Sequence, residues 1–195
     1  MDNFEKGQTL FAEAGQAVDP QIADRKYKEA YLCFRKADRD PVIRRNVQRY
    51  LGIQDARGLG CKRNSWLAFR ELVVFLGDPV ADPETIKACL DSEAQYELAL
   101  LYLHGWGTNQ NVPVAAELLK SAAKNGLREA KALLGYDMDD MDENGFETGG
   151  DGNPVKEPDY GGKTVEEYLK EKIERESMET PPPSPESPAD SPARQ

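Results

Sequence analysis

Two glycine pairs, a histidine, three cysteines, an acidic run and a basic stretch are where this 195-residue sequence could do chemistry. Gly58-Leu59-Gly60 and Gly105-Trp106-Gly107 suggest a phosphate cradle, in which backbone N–H groups would hold a nucleotide. A dinucleotide fingerprint needs a third glycine three residues on, and those positions hold Arg63 and Gln110. No Gly-Lys-Ser/Thr follows either pair, so an interhelical turn is the better reading. His104, the sole histidine, stands one residue before a glycine, with no nucleophile or second ligand placed to join it. It reads as a partner for a helix C-terminus or as a surface contact. Cys33, Cys61 and Cys89 are odd in number and lack a Cys-x-x-Cys pair, which fits reduced thiols better than a disulfide frame or a zinc site. The expectation is therefore no catalytic residue, no metal ligand, no cofactor and no enzyme.

Two charged segments need separate weighing. Asp140, Asp142, Asn144, Gly145, Thr148 and Asp151 follow calcium-loop spacing. Glu147 falls where an apolar residue should pack, and Gly-Asn-Pro follows where a helix should begin, so an acidic hinge competes with a weak divalent site. Residues 25–63 hold 12 Lys+Arg against 4 Asp+Glu, with Arg44, Arg45 and Arg49 on one expected helix and Lys62 and Arg63 after it. Such a surface could serve a nucleic-acid accessory protein, an acidic partner or the chain's own acidic tail. Aromatic interleaving is thin and no base-reading motif is present, which weighs against nucleic acid.

The charge is unevenly spread. Residues 1–136 carry 19 Lys+Arg against 18 Asp+Glu, whereas residues 137–195 carry 6 against 17 and hold 8 of the 13 prolines. The second stretch is too polar to offset its own ordering entropy. The expectation is a folded domain over 1–136 and an acidic, largely disordered tail over 137–195. Three Ser-Pro pairs, at Ser184, Ser187 and Ser191, would invite phosphorylation in a eukaryote and form a plain spacer in a bacterium. No apolar run is long enough to span a membrane, and the N-terminus lacks the pattern of a secretion signal, so the default expectation is cytoplasmic.

The elements that must position these groups come from an internal repeat. Residues 51–72 laid over 98–119, a shift of 47, share Leu51/Leu98, Gly58/Gly105, Gly60/Gly107, Asn64/Asn111, Ala68/Ala115 and Leu72/Leu119. The leucines are each followed by a small residue, Gly52 or Ala99, that lets a neighbouring helix approach. The glycines end a helix in a left-handed conformation, and the asparagines cap the next one. A truncated third copy, at a shift of 36, matches Ala130, Leu134 and Gly135 to Ala94, Leu98 and Ala99; the 11-residue difference between the shifts is an insertion after Phe75 that holds the breaker 77–83 and a short segment over Glu84–Leu90. Upstream, 26–37 reads as another second helix, preceded by a divergent first helix over about Phe4–Ala17.

Ala-Gln-Tyr-Glu-Leu-Ala-Leu-Leu-Tyr-Leu-His-Gly-Trp-Gly (94–107), Ala115, Ser-Ala-Ala-Lys-Asn-Gly (121–126) and Ala130 together resemble a Sel-one-like repeat, a relative of the tetratricopeptide repeat. The resemblance is good over 94–135, fair over 47–72 and weak over 4–37. Asp55 departs from it, standing where the family favours the tyrosine seen at Tyr102. The resemblance implies an all-α fold, a right-handed α/α solenoid of about three hairpins, and a non-enzymatic scaffold that binds another protein or peptide.

In such a stack the first helices of the hairpins line the concave face. The exposed stripe is then expected at Tyr50, Gln54 and Arg57 on one helix, and at Glu97, Leu101 and His104 on the next. The truncated copy leaves Leu133 and Leu134 uncovered. Thr164-Val-Glu-Glu167 reads as a capping box opening a tail helix over 164–177, with Val165, Tyr168, Leu169 and Ile173 on its apolar stripe. That helix should dock on the chain's own repeats, either as a cap over Leu133 and Leu134 or as a competitor at Arg44, Arg45 and Arg49.

Overall fold

The computed structural model describes residues 2–136 and 158–179, and every element among them is a helix. These residues form two compact units, divided between Gly77 and Asp78.

The first unit holds α1 (Asn3–Gln16), α2 (Pro20–Ala37), α3 (Arg44–Arg57) and α4 (Ser65–Leu76). They pair as the hairpins α1/α2 and α3/α4, with α2 packed on α3. Asp2 opens α1 through a complete capping box with Glu5. The second helix begins at Pro20, six residues before the apolar periodicity would start it, because Asp19 accepts from Gln21 N and Pro20 pre-sets the first turn. Ala30, Phe34, Val47 and Leu51 form the core, with Phe4, Phe11 and Tyr50 packed against it. Gly52 is needed for close approach, since a Cβ there would lie 2.7 Å from Leu72 Cγ.

The second unit holds α5 (Glu84–Ala88), α6 (Ser92–His104), α7 (Val112–Lys124), α8 (Arg128–Leu133) and α9 (Val165–Glu179). The hairpin α6/α7 buries Leu98, Leu101, Leu118 and Leu119, and α5, α8 and α9 each pack on α7. α5 is the inserted segment. Gln95 Nε2 holds it, lying 2.7 Å from Ile86 O, 2.9 Å from Cys89 O and 3.0 Å from Ser121 Oγ. Gln48, its counterpart 47 residues earlier, donates to the Asp38 carboxylate just ahead of α3. α8 is the truncated copy, burying Ala130 and Leu134 before Gly135 turns at φ 82°.

The expected capping box at Thr164 is formed: Thr164 N donates to Glu167 Oε2 at 2.9 Å and Glu167 N to Thr164 Oγ1 at 3.2 Å. Leu169 and Ile173 are buried, Lys172 Nζ donates to Leu133 O and Tyr160 OH donates to Leu134 O. Of the two docking places open to the tail helix, it occupies the end marked by Leu133 and Leu134.

Candidate functional site

The hairpins α3/α4 and α6/α7 turn through the same local chemistry. At the end of α3, Gly58 takes φ 72° and donates to Gln54 O, and Leu59 N donates to the same oxygen. Gly60 follows at φ 69°, Asn64 N donates to Asp55 O at 2.9 Å, and the Asn64 side chain accepts from Leu67 N. At the end of α6, Gly105, Trp106, Gly107 and Asn111 repeat every step, with Asn111 N donating to Tyr102 O at 2.8 Å. The N–H groups of Gly58, Leu59 and Asn64, and of Gly105, Trp106 and Asn111, are thus spent on the preceding helix's carbonyls rather than offered to a phosphate. The turns are joints.

The expected exposed stripe needs correcting. Gln54 is fully buried, its amide donating to Tyr27 O and Leu59 O at 3.0 Å each. Leu101 is 1% exposed and Glu97 is 5% exposed. Tyr50 is half-buried and committed inward, its ring stacked on Phe34 with centroids 4.6 Å apart and its hydroxyl accepting from Gln8 Nε2. The stripe assumed that each first helix packs on one face only. In α3 Val47, Gln48 and every residue from Leu51 to Ala56 are buried, and α6 is buried almost as fully. Of the six stripe residues, Arg57 is exposed and Tyr50 and His104 are half-buried. Arg57 and His104 lie at the turn ends. His104 stacks on Trp106, with ring centroids 4.2 Å apart and an interplanar angle of 13°.

What the sequence did not assemble is a charge cluster inside the first unit. Arg35 of α2 sends Nη2 to Asp55 Oδ2 at 2.8 Å and Nη1 to Glu71 Oε1 at 2.7 Å. Tyr31 OH donates to Asp55 Oδ1 and accepts from Arg35 Nη2, and Cys61 Sγ lies 3.5 Å from Asp55 Oδ1. Two carboxylates share one guanidinium, and Glu71 Oε2 is buried without a hydrogen-bond partner. Burial, then the negative charge of Asp55, push the Glu71 carboxyl up to about 9, against the pull of Arg35. Burial raises Asp55 as well. Burial and the charge of Asp55 push the Cys61 thiol up to about 12, which removes it as a nucleophile at neutral pH. The cluster therefore fastens α2 to α3 and α4. Its counterparts in the other hairpin are Tyr102 and Leu118, both buried. Asp55 in a tyrosine's slot was the available signal: a carboxylate in an apolar slot needs a cation, and Arg35 supplies it.

Three arginines of α3 make contacts within the first unit. Arg44 pairs with Asp38, Arg45 Nε donates to Phe75 O at 2.9 Å, and Arg49 lies over the Tyr50 ring. The calcium-spaced run 140–151 and the Ser-Pro pairs lie outside the described residues. Among the described residues, no group of three His, Cys, Asp or Glu is placed to hold a metal, and no helix is long and apolar enough to cross a membrane.

Residues 92–127, spanning α6 and α7, match the family model of the Sel1 repeat. No curated protein and no solved structure matches the chain.

Proposed function

We propose that this chain, which carries a Sel1 repeat over residues 92–127, is a non-enzymatic scaffold binding another protein or peptide. Sel1 repeats generally mediate protein–protein contacts. The observation that carries the reading further is a matched pair of residues at the two turn ends. Arg57 and Leu59 flank Gly58, as His104 and Trp106 flank Gly105, so each unit sets a basic side chain beside an apolar one at the same place. A basic group next to an apolar surface suits a peptide carrying an acidic residue beside an aromatic or aliphatic one. The three free cysteines suit a reducing compartment, and on that ground we place the protein in the cytoplasm.

The test is a random peptide display library selected against the full chain, with affinities then measured by calorimetry. Enriched peptides should carry acidic and apolar residues and should bind the Arg57→Ala/His104→Ala chain at least tenfold more weakly. Equal affinity for both chains would move the site away from the turn ends. A selection that enriches nothing would overturn the scaffold reading.

A further inference from the structure

α9 carries its own capping box and a Lys163–Glu171 ion pair at 2.6 Å, so its local interactions lie within its own segment. Its contact with α7 and α8 shows what chemistry that surface accepts. Leu169 is fully buried and Ile173 is 9% exposed, one turn apart on the face turned inward. Leu134 is buried on the receiving side. The end of α8 leaves backbone carbonyls to be satisfied. Lys172 Nζ reaches Leu133 O at 3.1 Å, and Tyr160 OH reaches Leu134 O at 2.9 Å. The positive lysine also suits the negative end of the α8 dipole. Tyr168 lies against Gly135, where a Cβ would come within 3.0 Å of the hydroxyl. A buried leucine and two carbonyls that accept from side chains lie close together, and a narrow helix stripe with its preceding tyrosine satisfies both.

We propose that this end of the second unit is a helix-recognition site, and that α9 is its built-in competitor. The partner is an amphipathic helix presenting Tyr-Leu-x-x-Lys-Ile, the pattern of Tyr168, Leu169, Lys172 and Ile173. The proposal rests on the scaffold reading and names one partner class for it. Because α9 is covalently tethered, it competes at an effective concentration on the order of millimolar. A partner must therefore fit more tightly than α9 does, and removing α9 must strengthen binding.

A fluorescein-labelled peptide of residues 158–179 tests this by anisotropy against full-length chains. Leu169→Asp/Ile173→Asp in the chain disables its own helix and should bind the peptide at least tenfold more tightly than wild type. A peptide bearing the same two substitutions should bind neither chain. As charges at buried positions can impair folding, a second full-length variant, Tyr160→Phe/Lys172→Ala, removes only the two polar contacts and should give an intermediate gain. Equal affinity for wild type and variants would overturn the proposal. So would absence of saturable binding to either variant when its helical circular dichroism is retained. Peptides bound at Arg57 and His104 by a chain that ignores residues 158–179 would keep the scaffold reading and discard this one.

Discussion

Arg35 Nη2 lies 2.8 Å from Asp55 Oδ2, so the buried carboxylate standing in the repeat's tyrosine slot is answered by a cation from the preceding hairpin. Its other nitrogen holds Glu71. Removing Arg35 leaves the buried Asp55 carboxylate uncompensated and Glu71 without its partner, whereas replacing the whole set by packed apolar groups does not. Arg35→Met should therefore cost about 3–5 kcal/mol in urea unfolding. The triple change Arg35→Leu/Asp55→Tyr/Glu71→Leu, which borrows Tyr102 and Leu118 from the other hairpin, should be neutral or stabilising by about 1–4 kcal/mol. A triple variant as unstable as the single one would show that the ions are needed for packing itself.

The raised carboxyl of Glu71 fixes the sign of a pH effect. Below its ordinary value of 4.5, Glu71 is protonated in both folded and unfolded chains, and the stability from this group is whole. As pH climbs toward about 9 the unfolded chain ionises while the folded one keeps its proton, so that stability is progressively lost. The urea midpoint should fall between pH 6 and pH 9, and Glu71→Gln, which cannot ionise, should flatten the slope over that window. A wild-type midpoint that rises with pH would refute the assignment.

The turn between α3 and α4 lies close against the backbone of α2. A Cβ on Gly60 would stand 2.3 Å from both Lys28 N and Tyr27 C, at a φ of 69°. Gly60→Ala should cost about 3 kcal/mol, from displaced backbone and left-handed strain together. Gly126, at φ 90°, has nothing within 4 Å, so Gly126→Ala should cost only about 1 kcal/mol. Thermal melts of the two variants should differ by several degrees.

Loss of the docked helix should be felt as lost burial of Leu169 and Ile173. Ending the chain after residue 159 should lower the melting temperature by several degrees, as a loss of about 1–2 kcal/mol does in a chain of this size. An unchanged melt would mean that the α7/α8 end is stable when bare.

Features that rest on local chemistry were legible in the sequence. The glycines at 58 and 105, the caps at Asn64 and Asn111 and the box at Thr164 each need only a few consecutive residues, and each is formed. α2 starts at Pro20 rather than at residue 26 because Asp19 and Pro20 set its first turn locally, a signal separate from the apolar periodicity over 26–37. Exposure was misjudged for a different reason. Gln54 is polar and fully buried because Tyr27 O, 27 residues away, accepts its amide proton, and no pattern within α3 encodes that. The Arg35 cluster likewise joins residues 20 and 36 apart in the chain, so it exists only after the hairpins meet.

Gln48 and Gln95 occupy the same repeat position, and each grips the connection that feeds its hairpin: one the side chain of Asp38, the other the carbonyls of Ile86 and Cys89. An amide with rotatable reach can hold connections of unlike length and composition, where a shaped apolar contact would accept only one. The segment that each glutamine grips is thus a graft point. Segments of different size can be spliced in ahead of α3 or α6 while the helices behind them keep their packing.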